Sequence, residues 1–561
     1  MAGLRFSLIA FFCLILTSWN AMSQHISVNS AIVENFVRRT LISDSTAFQS
    51  NSLMARPILL QSVLGENKTQ MNELSGLARP SLNLGGIIKL GILAPETYTK
   101  TTSHRPHTYN QGSLISAKGQ QSIFSFGIYG KSKYVELQIK PEFLIAQNPS
   151  FDGFADDHAE IVWHRRFLWW NRIDTPERFG QPSISELLPG QSYLKFTYDH
   201  MSLAFSTENL WWGPGRRNSL IMSNNARGFP HLRLMTSKPI ETIIGDFEGT
   251  LIMGRLSSSG FDPPQVSRTY LNNLSFIPKN EDDRAISGFT INYKPKWLKG
   301  LWLGYSQTTY RYLERSHEGN PYLAIFRNVF SGGNQIDFFS LPQNHSSFFF
   351  RLALPKAMGE IYAEYGLKDQ SWNLRRLFSS IDNPNAVTFG FSKYIKTRWE
   401  KWPLLEISAE LTSLQQYPFS SIVQANSWYL DGEVRQGYTN RGEVLGAAIG
   451  PGSNSQFIQL SIFKGLKSLS LNVERVVHNN DYFYYTFGPS QDNRRFWVDL
   501  NLGINLDLQK GPILISSQFN WIRSFNYQWQ LTQFEGQPYY IGGKDVNNAH
   551  LSLKLTWLLC D

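Results

Sequence analysis

The sequence predicts an all-β fold: an 18-stranded antiparallel transmembrane β-barrel behind a small N-terminal helical segment. Two observations predict it. Runs of about ten residues alternate apolar and polar side chains, the length and period of a tilted strand crossing a bilayer. Between them, long and short connections alternate strictly, as in barrels with short turns on one side and long loops on the other. Short turns fall near 130–132, 199–201, 239–242, 296–299, 355–358, 397–402, 464–466 and 506–511. Long connections fall near 95–112, 148–188, 210–228, 257–284, 313–344, 370–385, 416–454, 478–493 and 527–546. These 17 connections join 18 strands and place both termini on the short-turn, periplasmic side.

The alternation is plainest at the C-terminal end. Leu551, Leu553, Leu555, Trp557 and Leu559 alternate with Ser552, Lys554 and Thr556. One face is apolar and the other polar. The same pattern runs through Val135, Leu137 and Ile139, through Leu405, Ile407, Ala409 and Leu411, and through Leu469, Leu471 and Val473. It recurs in Ile513, Ile515, Phe519 and Trp521. The polar faces repeatedly carry carboxylates, which suits a barrel interior better than the wet face of a sandwich.

Upstream of the barrel the pattern changes. Residues 1–23 read as a signal peptide: Arg5, then the apolar run Phe6–Leu16, then Ala21 and Ser23 before a cut at Gln24. That run is too short to span a bilayer, and no later stretch approaches 18 apolar residues. Residues 24–80 do not alternate and read as a periplasmic helical segment, with 81–561 as the barrel. Ser30 could cap a helix whose Ile32, Val33, Phe36, Val37 and Leu41 share one face. Pro57–Leu64 reads as a second short helix, and Lys68–Leu74 as a third.

Composition narrows the class. Apolar residues make up 42% and charged residues 17%, with 14% aromatic, too little charge and too many rings for a disordered chain. With two cysteines, one of them inside the leader, there is no disulfide framework and no CxxC zinc pattern. Nothing calls for a cofactor or a metal.

Catalytic signatures are missing: there is no GxSxG, no HExxH and no P-loop. Gly130-Lys131-Ser132 resembles the end of a P-loop, but Ser125 stands where the first glycine belongs. Gly213 and Gly215 begin a GxGxxG that Asn218 breaks. We read the chain as non-enzymatic. A Ser/His/Asn arrangement, whose members need not be close in sequence, stays open.

Two long connections stand out. One runs Trp211-Trp212-Gly213-Pro214-Gly215-Arg216-Arg217-Asn218-Ser219 and on through Asn225 and Arg227 to Pro230. The other runs from Gly437-Tyr438 through Arg441 and Glu443 to Gly450-Pro451-Gly452. They can be read as a structural plug, with arginines forking onto interior carboxylates such as Glu136, Glu208, Glu406 and Glu410. They can also be read as a sugar site. Trp211 and Trp212 would then stack on pyranose rings, while Arg216, Arg217 and Asn218 hydrogen-bond hydroxyls or pair with uronic-acid carboxylates.

Residues 211–230 (WWGPGRRNSLIMSNNARGFP) and 437–456 (GYTNRGEVLGAAIGPGSNSQ) closely resemble the signature of the Wzi family of capsule assembly proteins. Gln111–Gly127 with Lys140-Pro141-Glu142 is similar to that family's early strands. The resemblance spans roughly residues 55–560. It implies an 18-stranded outer-membrane barrel with a plugged lumen that acts as a surface lectin, anchoring capsular or other surface polysaccharide to the cell during capsule assembly. A porin-like outer-membrane solute channel is the alternative. The last residues, Cys560 and Asp561, depart from the terminal aromatic usual in barrel insertion signals.

The formal net charge is +9, and the leader carries only Arg5 of it. Nucleic acid is not an expected partner of a secreted barrel. An acidic polysaccharide is, and so is the phosphate-bearing lipid of the outer leaflet. The chain is expected to act as a monomer in the cell outer membrane.

Overall fold

A computed structural model describes residues 25–26, 31–43, 52–59, 77–84, 88–314, 320–326, 343–368, 385–416, 427–488, 493–532 and 544–559. Eighteen antiparallel strands close on themselves, and Ala78–Leu84 pairs alongside the start of the first, from Ala78 opposite Leu93 to Leu84 opposite Ile88. The first, β1 (Ile88–Thr102), pairs with β2 (Gly119–Lys131). Next come β3 (Val135–Ile139 continued by Glu142–Ala146), β4 (Ile184–Leu188 continued by Tyr193–Tyr198), β5 (Met201–Ser206) and β6 (His231–Thr236). The wall continues through β7 (Gly245–Leu256), β8 (Arg284–Pro295), β9 (Leu301–Tyr312), β10 (Gln343–Leu354), β11 (Gly359–Lys368) and β12 (Asn385–Lys396). It ends with β13 (Leu404–Ser413), β14 (Asn454–Lys464), β15 (Lys467–Val477), β16 (Val498–Lys510), β17 (Ile513–Phe525) and β18 (Val546–Trp557). Closure is between the last strand and the first, from His550 opposite Thr102 to Thr556 opposite Glu96.

Side-chain facing follows the period-2 pattern. Leu551 and Leu553 are exposed on the outside, whereas His550, Ser552 and Thr556 are buried inside. Val135, Leu137 and Ile139 are exposed too, as are Ile407 and Leu411. A continuous outward apolar surface on a closed barrel marks a protein that spans a membrane with strands. Among the described residues no helix is long and apolar enough to do so.

Two strands are interrupted at matching heights. Pro141 cannot donate to the ladder, and β3 breaks there. Opposite it, β4 breaks at Pro189-Gly190, and Gln191 N–H donates to Lys140 O at 3.0 Å. Gly190 has a φ of +60°, and a Cβ there would lie 2.3 Å from Lys140 O, so only glycine fits.

Three expected connections move. The one expected at 148–188 ends at 183, because β4 starts at Ile184. β1 does not stop at 95: it continues through Pro95, with a register shift between Leu93 and Glu96 that accommodates the missing N–H. The connection is therefore 103–118. The turn expected at 506–511 narrows to 511–512 because β16 runs to Lys510.

The N-terminal region contains α1 (Ala31–Ser43). Its Val33, Phe36, Val37 and Leu41 are buried against Leu466, Leu514 and Leu558 at the short-turn mouth of the barrel. Of the helix expected over Pro57–Leu64, the described part is extended: Ile58–Leu59 pairs with His25–Ile26. Ser30 and Lys68–Leu74 lie outside the described residues. On the long-loop side, α2 (Glu160–Trp170) and α3 (Asn480–Phe487) pack aromatic faces together through Trp163, Phe167, Tyr482 and Phe483.

Candidate functional site: the lumenal plug and the chamber beneath it

The first signature connection turns down into the barrel after β5. Trp211-Trp212 pairs antiparallel with Arg56-Ala55, and Gly213 N–H donates to Met54 O at 2.7 Å. Pro214 and Gly215 then reverse the chain. Gly215 is required by crowding, since a Cβ there would lie 1.8 Å from Asn218 O. The reversal aims three successive backbone N–H groups at one carboxylate. Arg216 and Arg217 donate to Glu410 Oε2 at 2.8 and 2.9 Å, and Asn218 donates to Oε1 at 2.6 Å. Tyr362 OH adds a fourth donor at 2.7 Å. This is an anion nest whose anion is a side chain of β13.

The side chains of the same turn pin it further. The Arg216 guanidinium pairs with Glu406, two inward positions before Glu410 on β13. Arg217 reaches Glu474 on β15 with two nitrogens, at 3.2 and 2.5 Å, while its guanidinium lies 3.5 Å from the Tyr109 ring centroid. The carboxylates beside them hold both guanidinium pKa values above the usual arginine value, outweighing burial. Asn218 donates to Thr412 Oγ1 at 3.1 Å and accepts from Tyr109 OH at 2.9 Å.

The second signature connection locks onto the first. Ser223 N–H donates to Leu445 O at 2.8 Å, Asn225 Nδ2 to Val444 O at 2.9 Å, and Tyr429 OH to Leu220 O at 2.8 Å. Asn440 Nδ2 donates to Arg227 O at 3.1 Å, and Tyr438 OH to Thr308 Oγ1 at 3.0 Å. Arg227 pairs with Glu186 at 2.6 Å. The segment Gly450-Pro451-Gly452 turns with positive φ at both glycines and leads into β14. Around these bonds Trp212, Leu220, Ile221, Met222, Tyr429, Tyr438, Val444 and Leu445 form one buried apolar cluster inside the lumen. A third connection joins them, with Gly112 N–H donating to Asn224 O at 2.8 Å.

Beneath this plug, toward α1, lies a chamber of about 370 Å³. Its wall is hydroxyl-rich, with Ser408, Ser468, Ser470, Ser516 and Ser552; Arg216, Arg217, Trp211 and Tyr109 form part of its ceiling. The floor is α1, tied to the barrel by Arg38 to Glu360 at 2.8 Å and to the N-terminal segment under the plug loop by Glu34 to Arg56 at 3.0 Å.

Several sequence expectations change here. Trp211 and Trp212 are 3% and 1% exposed, so their faces are closed to a sugar at the outer mouth. The Trp212 ring tip packs toward Gly288 of β8, and Trp211 lies under the Arg56 guanidinium. Arg216, Arg217 and Asn218 face the lumen, engaged with protein groups. Of the interior carboxylates singled out, Glu406 and Glu410 do receive the loop. Glu136 instead pairs with Lys195 and Lys131, and Glu208 with Arg233, because cations on neighbouring strands stand closer in register. The Arg441 side chain is exposed; only its backbone belongs to the plug, donating to Ser257 O at 2.8 Å. Glu443 is buried, with no hydrogen-bond partner for its carboxylate oxygens among the described residues. Burial pushes that carboxyl up to about 8, against the opposing pull of Arg227 and Lys100. Glu474, Glu360 and Tyr109 were missed; the inward face of an alternating strand was the available signal for Glu474.

Residues 97–534 match the family model described as capsule assembly protein Wzi. The chain belongs to the Wzi family. Comparison with curated proteins returned no match by sequence. Among solved structures, one similar to this Wzi-family chain is Wzi of Escherichia coli, described as an outer membrane protein involved in group 1 capsule assembly and a carbohydrate-binding β-barrel. Identity is 12% and the TM-score 0.58, covering 93% of this chain and 97% of that one. Acinetobacter baumannii OccAB2 (10% identity, TM-score 0.41, covering 83% and 97%) and Pseudomonas aeruginosa OccK8 (10%, 0.39, 84% and 97%) also match.

Proposed function

We propose that this Wzi-family barrel is a non-enzymatic, lectin-like protein of the outer membrane that holds an acidic surface polysaccharide at the cell during capsule assembly. The observation that carries the reading is the occupied lumen. Two signature loops, packed on each other and fastened to strand carboxylates, occupy the interior, so the working surface is the outward one. A solute channel would need that packed cluster to move aside.

With Trp211 and Trp212 buried, the sugar-facing groups are sought on the long connections. There α2, the 257–283 connection and α3 bring aromatic and cationic groups together. His164 stacks on Tyr270 with ring centroids 4.6 Å apart, and Arg165 lies 5.1 Å from the centroid of Tyr485, itself 57% exposed. Such pairs stack on sugar rings and attract uronic-acid carboxylates. A glycan-array screen of the purified protein tests this. Acidic polysaccharide should bind, and Tyr270→Ala with Tyr485→Ala should weaken binding about tenfold or more, on the scale of one to two lost ring contacts. Binding unchanged in the folded double variant would move the site elsewhere on the outer face.

A further inference from the structure

The barrel's positive charge is gathered at one end. Of the eight short turns, seven carry or abut an exposed cation: Lys133, Lys238, Lys296, Lys356, Arg398, Lys467 and Lys510. The eighth, between β4 and β5, has Asp199 and His200. Exposed carboxylates at this end are few among the described residues: Asp199, Glu241 and Glu400. The long connections, in contrast, mix signs, with Asp152, Asp156, Asp157 and Glu160 among Arg165, Arg172 and Arg178.

The cations do not stand alone. The β8–β9 turn reads Lys296-Trp297-Leu298-Lys299, and the β12–β13 turn reads Arg398-Trp399-Glu400-Lys401-Trp402. Trp297 is 74% exposed and Trp399 63%. Tyr134, Tyr198 and Trp557 are exposed near the same edge, where the apolar belt ends. Indole and phenol rings settle at the boundary between acyl chains and headgroups. Lysine and arginine stems lie along apolar surface while their charged ends reach outward to the phosphates. Alternating the two residue types on the β8–β9 and β12–β13 turns matches that boundary, whereas a soluble acidic partner would not require exposed tryptophan beside those cations.

We propose that the short-turn rim is a collar that selects anionic phospholipid, its lysines and arginines engaging headgroup phosphates and its tryptophans seated among the acyl chains. With short turns on the periplasmic side, as outer-membrane barrels are built, the lipid is that of the inner leaflet, opposite the leaflet first suggested by the net charge. The collar is densest over the half barrel from β8 to β15, so lipid is retained there in preference. This inference is independent of any glycan bound by the outer loops.

The test uses the full-length protein extracted from vesicles of equimolar phosphatidylglycerol and phosphatidylcholine, with retained lipids counted by native mass spectrometry. Phosphatidylglycerol should be retained about fivefold or more over phosphatidylcholine, the preference falling with added salt. The quadruple variant Lys296→Gln, Lys299→Gln, Arg398→Gln and Lys401→Gln should bring the ratio close to parity. Replacing the three lysines by arginine should preserve it. Heat-modifiable gel migration reports that each barrel is folded, and the salt titration of the unmodified protein reads the same property if a variant is not. Parity in the unmodified protein, or a preference that the glutamine variant leaves intact, overturns the proposal. So does polyglutamate binding to the detergent-solubilised protein without any lipid preference, which would assign the collar to a soluble acidic partner.

Discussion

Glu410 Oε1 accepts the backbone N–H of Asn218 at 2.6 Å, across 192 residues of sequence. With Arg216, Arg217 and Tyr362 donating to the other oxygen, one strand carboxylate fixes the reversal of the plug loop. Glu410→Ala leaves these buried donors without an acceptor. Each lost hydrogen bond to a charged group costs about 1.5–3 kcal/mol, less any replacement by water. The expected result is a folded barrel with a loosened plug, seen as ion conductance in planar bilayers and retained heat-modifiable migration. A silent bilayer would show that the nest does not hold the plug.

Arginines of the two loops should separate sharply. Arg216→Ala and Arg217→Ala each strip a partner from a buried glutamate, a loss of about 3–5 kcal/mol when a buried pair is broken. Arg441 has an exposed side chain, so Arg441→Ala should leave antibiotic entry at the level of the unmodified protein. Equal sensitivity to large antibiotics in all three strains would contradict the assignment.

Much of the barrel was legible because a wall with lipid on one side and a polar lumen on the other imposes period 2 on every strand. Glu406 and Glu410 stood out as interior groups for that reason. Their partners did not. Arg216 finds Glu406 only because the loop turns into the lumen, where it pairs with Ala55-Arg56 and its backbone is held at Glu410. Trp211-Trp212 looked like a sugar platform, since adjacent indoles in a loop rich in Arg and Asn suit one. Their burial follows from that same distant pairing. Glu136 and Glu208 were taken by Lys195 and Arg233, neighbours that appear only once strand register is known.

The facing of β18 gives a stability contrast. Leu553→Arg places a charge on the lipid side and should cost about 2–4 kcal/mol near the midplane. Ser552 and Thr556 line the chamber, which has room for a longer side chain, so Thr556→Arg should cost clearly less. Urea unfolding of refolded barrels in vesicles measures both; equal losses would contradict the facing.

Glu443 predicts a pH dependence. Its carboxyl is held at about 8 in the folded protein, above the unfolded value of about 4.3. The protonated form is therefore favoured by folding. Its contribution is fully present below the unfolded value and is lost as pH rises through the folded one. Thermal unfolding midpoints should fall between about pH 4.3 and pH 8, and Glu443→Gln should flatten that fall. An identical slope in the variant would assign the dependence to other groups.

The central claim is that the protein holds polysaccharide at the surface and neither makes nor exports it. Its most direct measurement is the partition of polysaccharide between cells and medium in a deletion strain, with and without the restored gene. The account predicts an unchanged total that moves from the cell fraction to the medium on deletion and returns on restoration. A fall in the total, or an unchanged partition, would contradict it.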